Sequence, residues 1–401
     1  MLGLGPEGTR WQTRAVDAQT FATLTTPAGQ ALLAEVAACA GRESDLALGT
    51  RLRREHPVEL VAAAVTQNHL RGRAVAKFGA DAAHLYYTHD ALEQSTRRSV
   101  ADHRAARLAA LGVTRVVDLG CGIGGDLIAC ARAGLAVRGV EQDEVRAAIA
   151  RANLAALGLE GTVEVGDATT TVVAPDEVAF VDPARRDGAG RTFRLDALVP
   201  SWDFVTGLLA GRAVAKVMPG IAHDAVPPGV QAEWVSDGGD LVEACLWGAG
   251  LGAPEGRVAT VLPSRTSLVA RDTVATVGPL LSHLVEPDDA VIRAGLVAEL
   301  AEDLGGHLLD PHIAWITTDS PDAAPLGRAF RVVEELPYRE KQLRAVLRER
   351  DIGTLTVKKR GVDVVPERLV SRLKLKGSRP ATIVLTRVDG EARAFLVERQ
   401  P

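Results

Sequence analysis

Between Arg115 and Val217 five short apolar runs, RVVDL, AVRGV, TVEV, VAFV and AVAKV, are separated by segments of helical period such as ACARAG and EVRAAIARANLAALG. Each run is too short for a buried helix and too continuously apolar for a strand with one wet face. Strands of that kind need cover on both sides, and helices between them supply it, so the pattern predicts a mostly parallel sheet wound with helices on both faces. After Pro219 the helical pattern thins, and QAEWVS, LVEACLWG, RVATVLP and SLVARDTVATV read as successive strands, some of them antiparallel.

The segments flanking this region differ from it. LLAEVAACA, PVELVAAAVTQNHL and SVADHRAARLAALG carry apolar residues three and four apart, which predicts a helical N-terminal domain over 1–110. A sheet domain follows over 111–285. A small α+β domain over 286–401 opens on the helix start EPDDAV and runs through the basic helix YREKQLRAVLRER into TLTVKKRGVDV. At 401 residues, two or three domains is the natural count.

Charge is unevenly distributed. The whole chain carries −5, yet Arg331 to Pro401 holds 17 Lys and Arg against 10 Asp and Glu, a net of +7. Lys358, Lys359, Arg360, Arg372, Lys374, Lys376 and Arg379 fall within some twenty residues of one another. Such a block reads either as a surface for a polyanion, where each neutralised phosphate releases counterions, or as an ordinary solvated face. The cysteines Cys39, Cys121, Cys130 and Cys245 show no C-x-x-C spacing, and the histidines show no metal-ligand spacing, so no metal site is expected. With no apolar run of membrane-spanning length and no signal-peptide core in MLGLGPEGTRWQTR, the chain is expected to be cytoplasmic and unprocessed.

The chemistry concentrates where the first strand ends, in Val117-Asp118-Leu119-Gly120-Cys121-Gly122-Ile123-Gly124-Gly125-Asp126. Glycines at a strand-to-helix turn let backbone approach a ligand closely. The stretch also fits G-x-G-x-x-G, with Glu141 some twenty residues on, as a dinucleotide site requires. Asp118 separates the two readings, because a carboxylate two residues before the first glycine repels a pyrophosphate and attracts a ligand bearing an ammonium and a sulfonium.

Further acids lie at the ends of the following strands. Glu141, followed by Gln142, closes AVRGV and offers two oxygens to a pair of ribose hydroxyls; Asp143 takes that role if the strand ends later. Asp167 and Ala168 follow TVEV. Before the first strand, Thr88, Glu93 and Gln94 sit in the polar segment YTHDALEQST, which either closes over the cofactor or contains no more than a helix cap at Ser95 or Asp90. The fourth run, VAFV, ends in Asp182-Pro183-Ala184-Arg185-Arg186-Asp187, at the carboxyl end of a strand, where such sheets place their chemistry.

The stretches LYYTHDALEQST, DLGCGIGGD, VEQD, GDA and VDPARR together resemble class I S-adenosylmethionine-dependent methyltransferases, in particular the bacterial branch related to trimethylguanosine synthase. That resemblance implies a doubly wound, mostly parallel, seven-stranded Rossmann-like sheet and S-adenosylmethionine as cofactor. It implies that Thr88, Glu93, Gln94, Asp118, Gly120, Gly122, Gly124, Asp126, Glu141, Gln142, Asp167, Ala168 and Asp182 line the cofactor site, with Asp167 accepting from the adenine amine. Asp182, Pro183 and Arg185 stand where the family's Asp/Asn-Pro-Pro-aromatic motif holds an exocyclic amine.

Here Ala184 replaces the second proline and Arg185 the aromatic. Phe193 or Trp202 would then supply the stacking platform, while Arg185 and Arg186 either clamp a phosphate or pair with Asp187. Lys216, closing AVAKV, faces a substrate phosphate or solvent. RAFRVVEELPYREKQLRAVLRERDIGTLTVKKRGVDV resembles a THUMP-like domain, which implies RNA, tRNA foremost, as partner. The resulting expectation is an RNA N-methyltransferase. Methylation of a small molecule or a protein, and a non-catalytic RNA-binding protein that retains the cofactor, are the alternatives.

Overall fold

The computed structural model describes residues 17–185, 195–320 and 322–400, and the chain divides into two compact units, Met1–Asp182 and Pro183–Pro401. The first unit opens with helices α1 (Ala18–Leu24), α2 (Pro27–Cys39), α3 (Asp45–Leu52) and α4 (Val58–Phe78). Their starts follow from side chains that satisfy free backbone donors: Asp17 accepts from Thr20 N, Thr26 from Gly29 N ahead of Pro27, and Ser44 from Ala47 N. Phe21, Leu24, Leu32, Leu33, Val36, Val61 and Leu70 are buried among these helices.

Helices α5 (His89–Gln94) and α6 (Arg98–Ala110) lead into the sheet of this unit. Its strands are β1 (Arg115–Leu119), β2 (Ala136–Glu141), β3 (Thr162–Val165) and β4 (Val178–Val181), ordered β3-β2-β1-β4 and all parallel. The helices α7 (Gly125–Arg132) and α8 (Glu144–Ala156) form the crossovers. Four of the five β1 residues and all of β4 are buried, as strands with helices on both faces must be.

One contact fixes how closely α7 lies on β2. A Cβ added at Gly139 would sit 2.7 Å from Leu127 Cδ1 and 2.8 Å from Cys121 Sγ. Overpacking of this kind costs roughly 3 kcal/mol. Gly139→Val is therefore expected to lower the midpoint of urea unfolding; an unchanged midpoint would show that the helix yields freely.

The second unit contains the short pair β5 (Ala184–Arg185) and β6 (Leu198–Val199), then α9 (Trp202–Leu209). Strands β7 (Ala213–Val217), β8 (Gln231–Asp237), β9 (Asp240–Trp247), β10 (Gly256–Leu262) and β11 (Thr266–Val269) follow, ordered β7-β9-β8-β10-β11. β9 is antiparallel to both neighbours, β10 is parallel to β8, and β11 folds back antiparallel on β10.

The fold is α/β and mostly parallel, with helices between the parallel strands; the first unit holds the four strands β1–β4 and the second the five strands β7–β11, β10 and β11 being beyond the seven expected. The buried stretch Val258–Leu262 requires a paired neighbour on each side, and β11 covers the edge that β10 would otherwise expose.

The rest of this unit is a second sheet, β13-β14-β12-β15-β18-β17-β16. It is built from β12 (His283–Pro287), β13 (His307–Asp310), β14 (Ile313–Thr318), β15 (Gly327–Leu336), β16 (Ile352–Lys359), β17 (Arg379–Val388) and β18 (Glu391–Arg399). Helices α10 (Asp289–Arg293) and α11 (Val297–Asp303) precede β13, while α12 (Glu340–Glu349) and α13 (Pro366–Leu373) precede β16 and β17. Leu343 and Leu347 of α12, with Leu369 and Leu373 of α13, pack on Ile352, Ile383 and Leu385. Trp315, Phe330 and Phe395 form a separate cluster. Among the described residues no helix is long and apolar enough to cross a membrane.

Candidate active site

The glycine run forms a bare turn. Gly120, Gly122 and Gly124 all take positive φ, at 98°, 56° and 84°. A Cβ at Gly120 or Gly122 would meet no heavy atom within 4 Å, whereas one at Gly124 would lie 3.3 Å from Ala150 Cβ on α8. The three glycines therefore serve two purposes. Gly120 and Gly122 present backbone to open space, and Gly124 lets α7 and α8 close together while its left-handed conformation caps α7.

Glu141 holds this turn in shape. It is buried, with Oε2 accepting from Gly122 N at 2.9 Å and Oε1 from Asp143 N at 3.0 Å. Each oxygen keeps acceptor capacity for a further donor. Asp143 is used as the N-cap of α8, accepting from Arg146 N, and Gln142 beside it is exposed. From α8 the fully buried Asn153 donates to Ile123 O at 2.9 Å and to Tyr86 O at 3.1 Å, and accepts from Tyr86 N at 2.7 Å. The segment before α5 is thus tied to the glycine loop through one amide.

Four acids gather at the carboxyl ends of β1, β2 and β4. Asp118, 3% exposed, is buried just before the loop. Burial pushes its carboxyl well above the usual carboxylate range, Asp126 and Asp182 push the same way, and Arg104 opposes them. Asp126, in the first turn of α7, pairs through Oδ1 with Arg104 and accepts from Thr96 Oγ1 at 3.1 Å through Oδ2. Asp182 follows β4 and is half-buried.

Asp167 lies at the carboxyl end of β3, exposed, with Oδ1 accepting from Thr169 N at 2.8 Å and from Thr169 Oγ1 at 2.7 Å. These two donors hold its carboxyl below the usual range, so it is a ready acceptor at physiological pH. Ala168 next to it is half-buried.

The segment before the first strand departs from a simple lid. Thr88 is the N-cap of α5, accepting from Ala91 N at 3.2 Å. Glu93 is exposed and ion-paired with Arg73 at 3.1 Å, Gln94 is exposed, and Lys77 Nζ donates to the carbonyls of Leu92, Glu93 and Ser95. Beyond α5, the Thr96 hydroxyl donates to Asp126 at the glycine loop.

In the second unit Pro183 is buried, Ala184 is exposed, and Ala184–Arg185 pairs with Val199–Leu198. Arg186, Asp187 and Phe193 lie outside the described residues. Trp202 opens α9 half-buried, and Lys216 is half-buried on β7.

Three residues not singled out in the sequence contact this site's loop or acids: Thr96, Arg104 and Asn153. Thr96 ends the polar segment YTHDALEQST, whereas Arg104 and Asn153 carry no motif. Arg104 and Asn153 sit in amphipathic helices where a polar residue every few positions is ordinary, so only the folded contact distinguishes them.

A ligand with a cationic end fits what is present. The turn offers two glycines facing open space, and buried carboxylates adjoin it. In the second unit Lys358 pairs with Glu286 at 2.7 Å and Arg372 with Glu340 at 2.9 Å. Lys359, Lys374, Lys376 and Arg379 are exposed. Arg344 and Arg348 of α12 donate to Arg372 O and Lys374 O at the end of α13.

Residues 327–399 match the family described as THUMP domain-like, and residues 17–74 match a domain of unknown function, DUF8688. Two uncharacterized S-adenosylmethionine-dependent methyltransferases, from Mycobacterium tuberculosis strains CDC 1551 and H37Rv, are each 39% identical over 332 residues, covering 80% of this chain and 90% of the relative. A protein from Porphyromonas gingivalis W83, provisionally described as a methyltransferase, has a crystal structure of the same fold. It matches with TM-score 0.75 and 23% identity, over 92% of this chain and 98% of that one.

Proposed function

The chain belongs to the S-adenosylmethionine-dependent methyltransferases, and on that premise we propose that it methylates a base nitrogen of RNA, tRNA foremost. The observation that carries the substrate class is the THUMP domain-like match over 327–399, which coincides with the basic part of the chain. We read 1–110, 111–285 and 286–401 as helical, methyltransferase and RNA-docking domains of a cytoplasmic enzyme.

When bound, S-adenosylmethionine supplies an electrophilic methyl group on a sulfonium. The protein's part is to hold and to orient. Gly120 and Gly122 give the cofactor a backbone surface, Glu141 offers acceptors to its ribose, and Asp167 with Ala168 borders the adenine. The carboxyl group just before the loop favours the cationic end. Asp182 accepts a hydrogen bond from the acceptor amine, which orients the nitrogen lone pair and raises its nucleophilicity. Pro183 fixes the backbone after Asp182, and Arg185 is assigned to the substrate's phosphate.

The decisive experiment is transfer of labelled methyl from the cofactor to total RNA, followed by nucleoside mass spectrometry. RNA-dependent label is expected; label confined to protein or small-molecule fractions would transfer the assignment to that class. The triple variant Lys374→Glu, Lys376→Glu, Arg379→Glu tests the docking surface. Because each phosphate contact contributes roughly 0.7–0.9 to the slope of log affinity against log salt, the slope is expected to flatten by about 2. Affinity for S-adenosylhomocysteine should not change. An unaltered salt slope would place the RNA elsewhere.

A further inference from the structure

Arg104 on α6 is 3% exposed, in a position where a helix packed on a sheet ordinarily carries an aliphatic side chain. Its guanidinium pairs with Asp126 Oδ1 and lies over the Phe180 ring, 4.7 Å from the centroid. The other Asp126 oxygen takes the Thr96 hydroxyl at 3.1 Å. One buried cation therefore braces the helix that leaves the glycine loop and the strand that Asp182 follows. Its partner Asp126 also secures the segment running into α6.

Taking a guanidinium out of water is costly and is tolerated only where carboxylates answer it. Here Asp126, Asp182 and Glu141 lie close enough to Asp118 to push its buried carboxyl upward, and Arg104 opposes them. Carboxylates crowded without such a cation would neutralise by taking up protons.

We propose that Arg104 is a positioning residue for the methyl donor: through Asp126 it fixes the first turn of α7 behind the glycine loop, and its charge sets how strongly the site prefers a sulfonium over a neutral thioether. Asp126, expected from sequence to touch the cofactor, then acts through the loop, since both of its oxygens are engaged by Arg104 and Thr96. The inference rests on the cofactor lying along the glycine loop, which the Gly122 variant in the Discussion tests separately.

Calorimetry with S-adenosylmethionine and S-adenosylhomocysteine, on the full chain without acceptor, distinguishes the outcomes. In Arg104→Met the loop loses its brace, and affinity for the thioether is expected to fall about tenfold. The sulfonium, relieved of a nearby like charge, should lose less, so the ratio of the two affinities moves toward the sulfonium by about threefold or more. Arg104→Gln removes the charge while keeping a donor for Asp126, and should move the ratio in the same direction if the methionine variant does not fold.

Arg104→Lys keeps the charge without the planar fork; both affinities drop and the ratio stays at its wild-type value. Equal weakening of both ligands in Arg104→Gln, or no weakening in any variant, overturns the proposal. Those results leave the cofactor assignment standing as long as Gly122→Val weakens binding of both by about two orders of magnitude or more.

Discussion

Asp182→Ala is expected to slow methyl transfer by about two to four orders of magnitude while leaving S-adenosylhomocysteine affinity within roughly threefold of wild type. The reasoning starts from position. Asp182 follows the fully buried strand β4, half-exposed at its carboxyl end, where a parallel sheet presents reacting groups. In the proposed function its oxygen serves as an acceptor toward the amine rather than as a charge toward the cofactor.

Asp182→Asn keeps a carbonyl acceptor and should retain more activity than Asp182→Ala, although it removes the same negative charge. That ordering, wild type above Asn above Ala, separates hydrogen-bond acceptance from charge stabilisation. If Asn and Ala were equally inactive the charge would be the working feature, and if Ala turned over normally the acceptor site would have to be sought elsewhere. Single-turnover rates at saturating cofactor read this directly, because they exclude weakened binding.

Much of the fold was legible because buried parallel strands leave a simple trace. RVVDL, VAFV and AVAKV coincide with β1, β4 and β7, since a strand covered on both faces leaves a mostly apolar run; TVEV coincides with β3 although only Val163 of it is buried. SLVARDTVATV read less well. Thr266–Val269 pairs as a strand, Asp272 then takes φ 57° and Val274 is 84% exposed, and the stretch pairs again only through a single bridge from Val277 to Leu308. EPDDAVIRAGLVAELAEDLG announces a helix start, and α10 does begin there, but the sequence leaves unmarked that Gly295 at φ 68° separates α10 from a second helix, α11.

The second sheet was the hardest to see. β15 alternates buried and exposed positions with charges at Arg331, Glu334 and Glu335, and two of these are matched across strands by Glu398 and Arg393. A pattern of charge and apolar residue every second position is easily taken for a solvated segment until its partner strand is known.

The site shows the same division. Glycines and strand-end acids announce themselves by local spacing, so Gly120, Gly122, Glu141 and Asp167 stand out as candidates in the sequence. Arg104, which engages Asp126 from 22 residues upstream, was not, because nothing local records a tertiary ion pair.

Gly122→Val is expected to weaken S-adenosylhomocysteine binding by two orders of magnitude or more, roughly 2.7 kcal/mol, with a smaller loss of stability. Two separate facts about this residue produce that asymmetry. Its φ of 56° lies in the left-handed region, where a β-branched residue costs about 1–2 kcal/mol, so unfolding should come modestly earlier. Its Cβ direction, however, is open, with no heavy atom within 4 Å, so the protein itself accommodates the side chain. What the valine removes is the space in front of the turn.

Gly124→Ala makes the matched comparison. There the new Cβ would stand 3.3 Å from Ala150 Cβ at φ 84°, so the cost falls on the packing of α7 against α8. Stability should drop more than affinity. Measured side by side by calorimetry and urea unfolding, the two variants should trade places in rank between the two assays. Retained affinity in Gly122→Val would mean that the turn does not cradle the cofactor, and the assignments of Glu141 and Asp182 around it would fall with it.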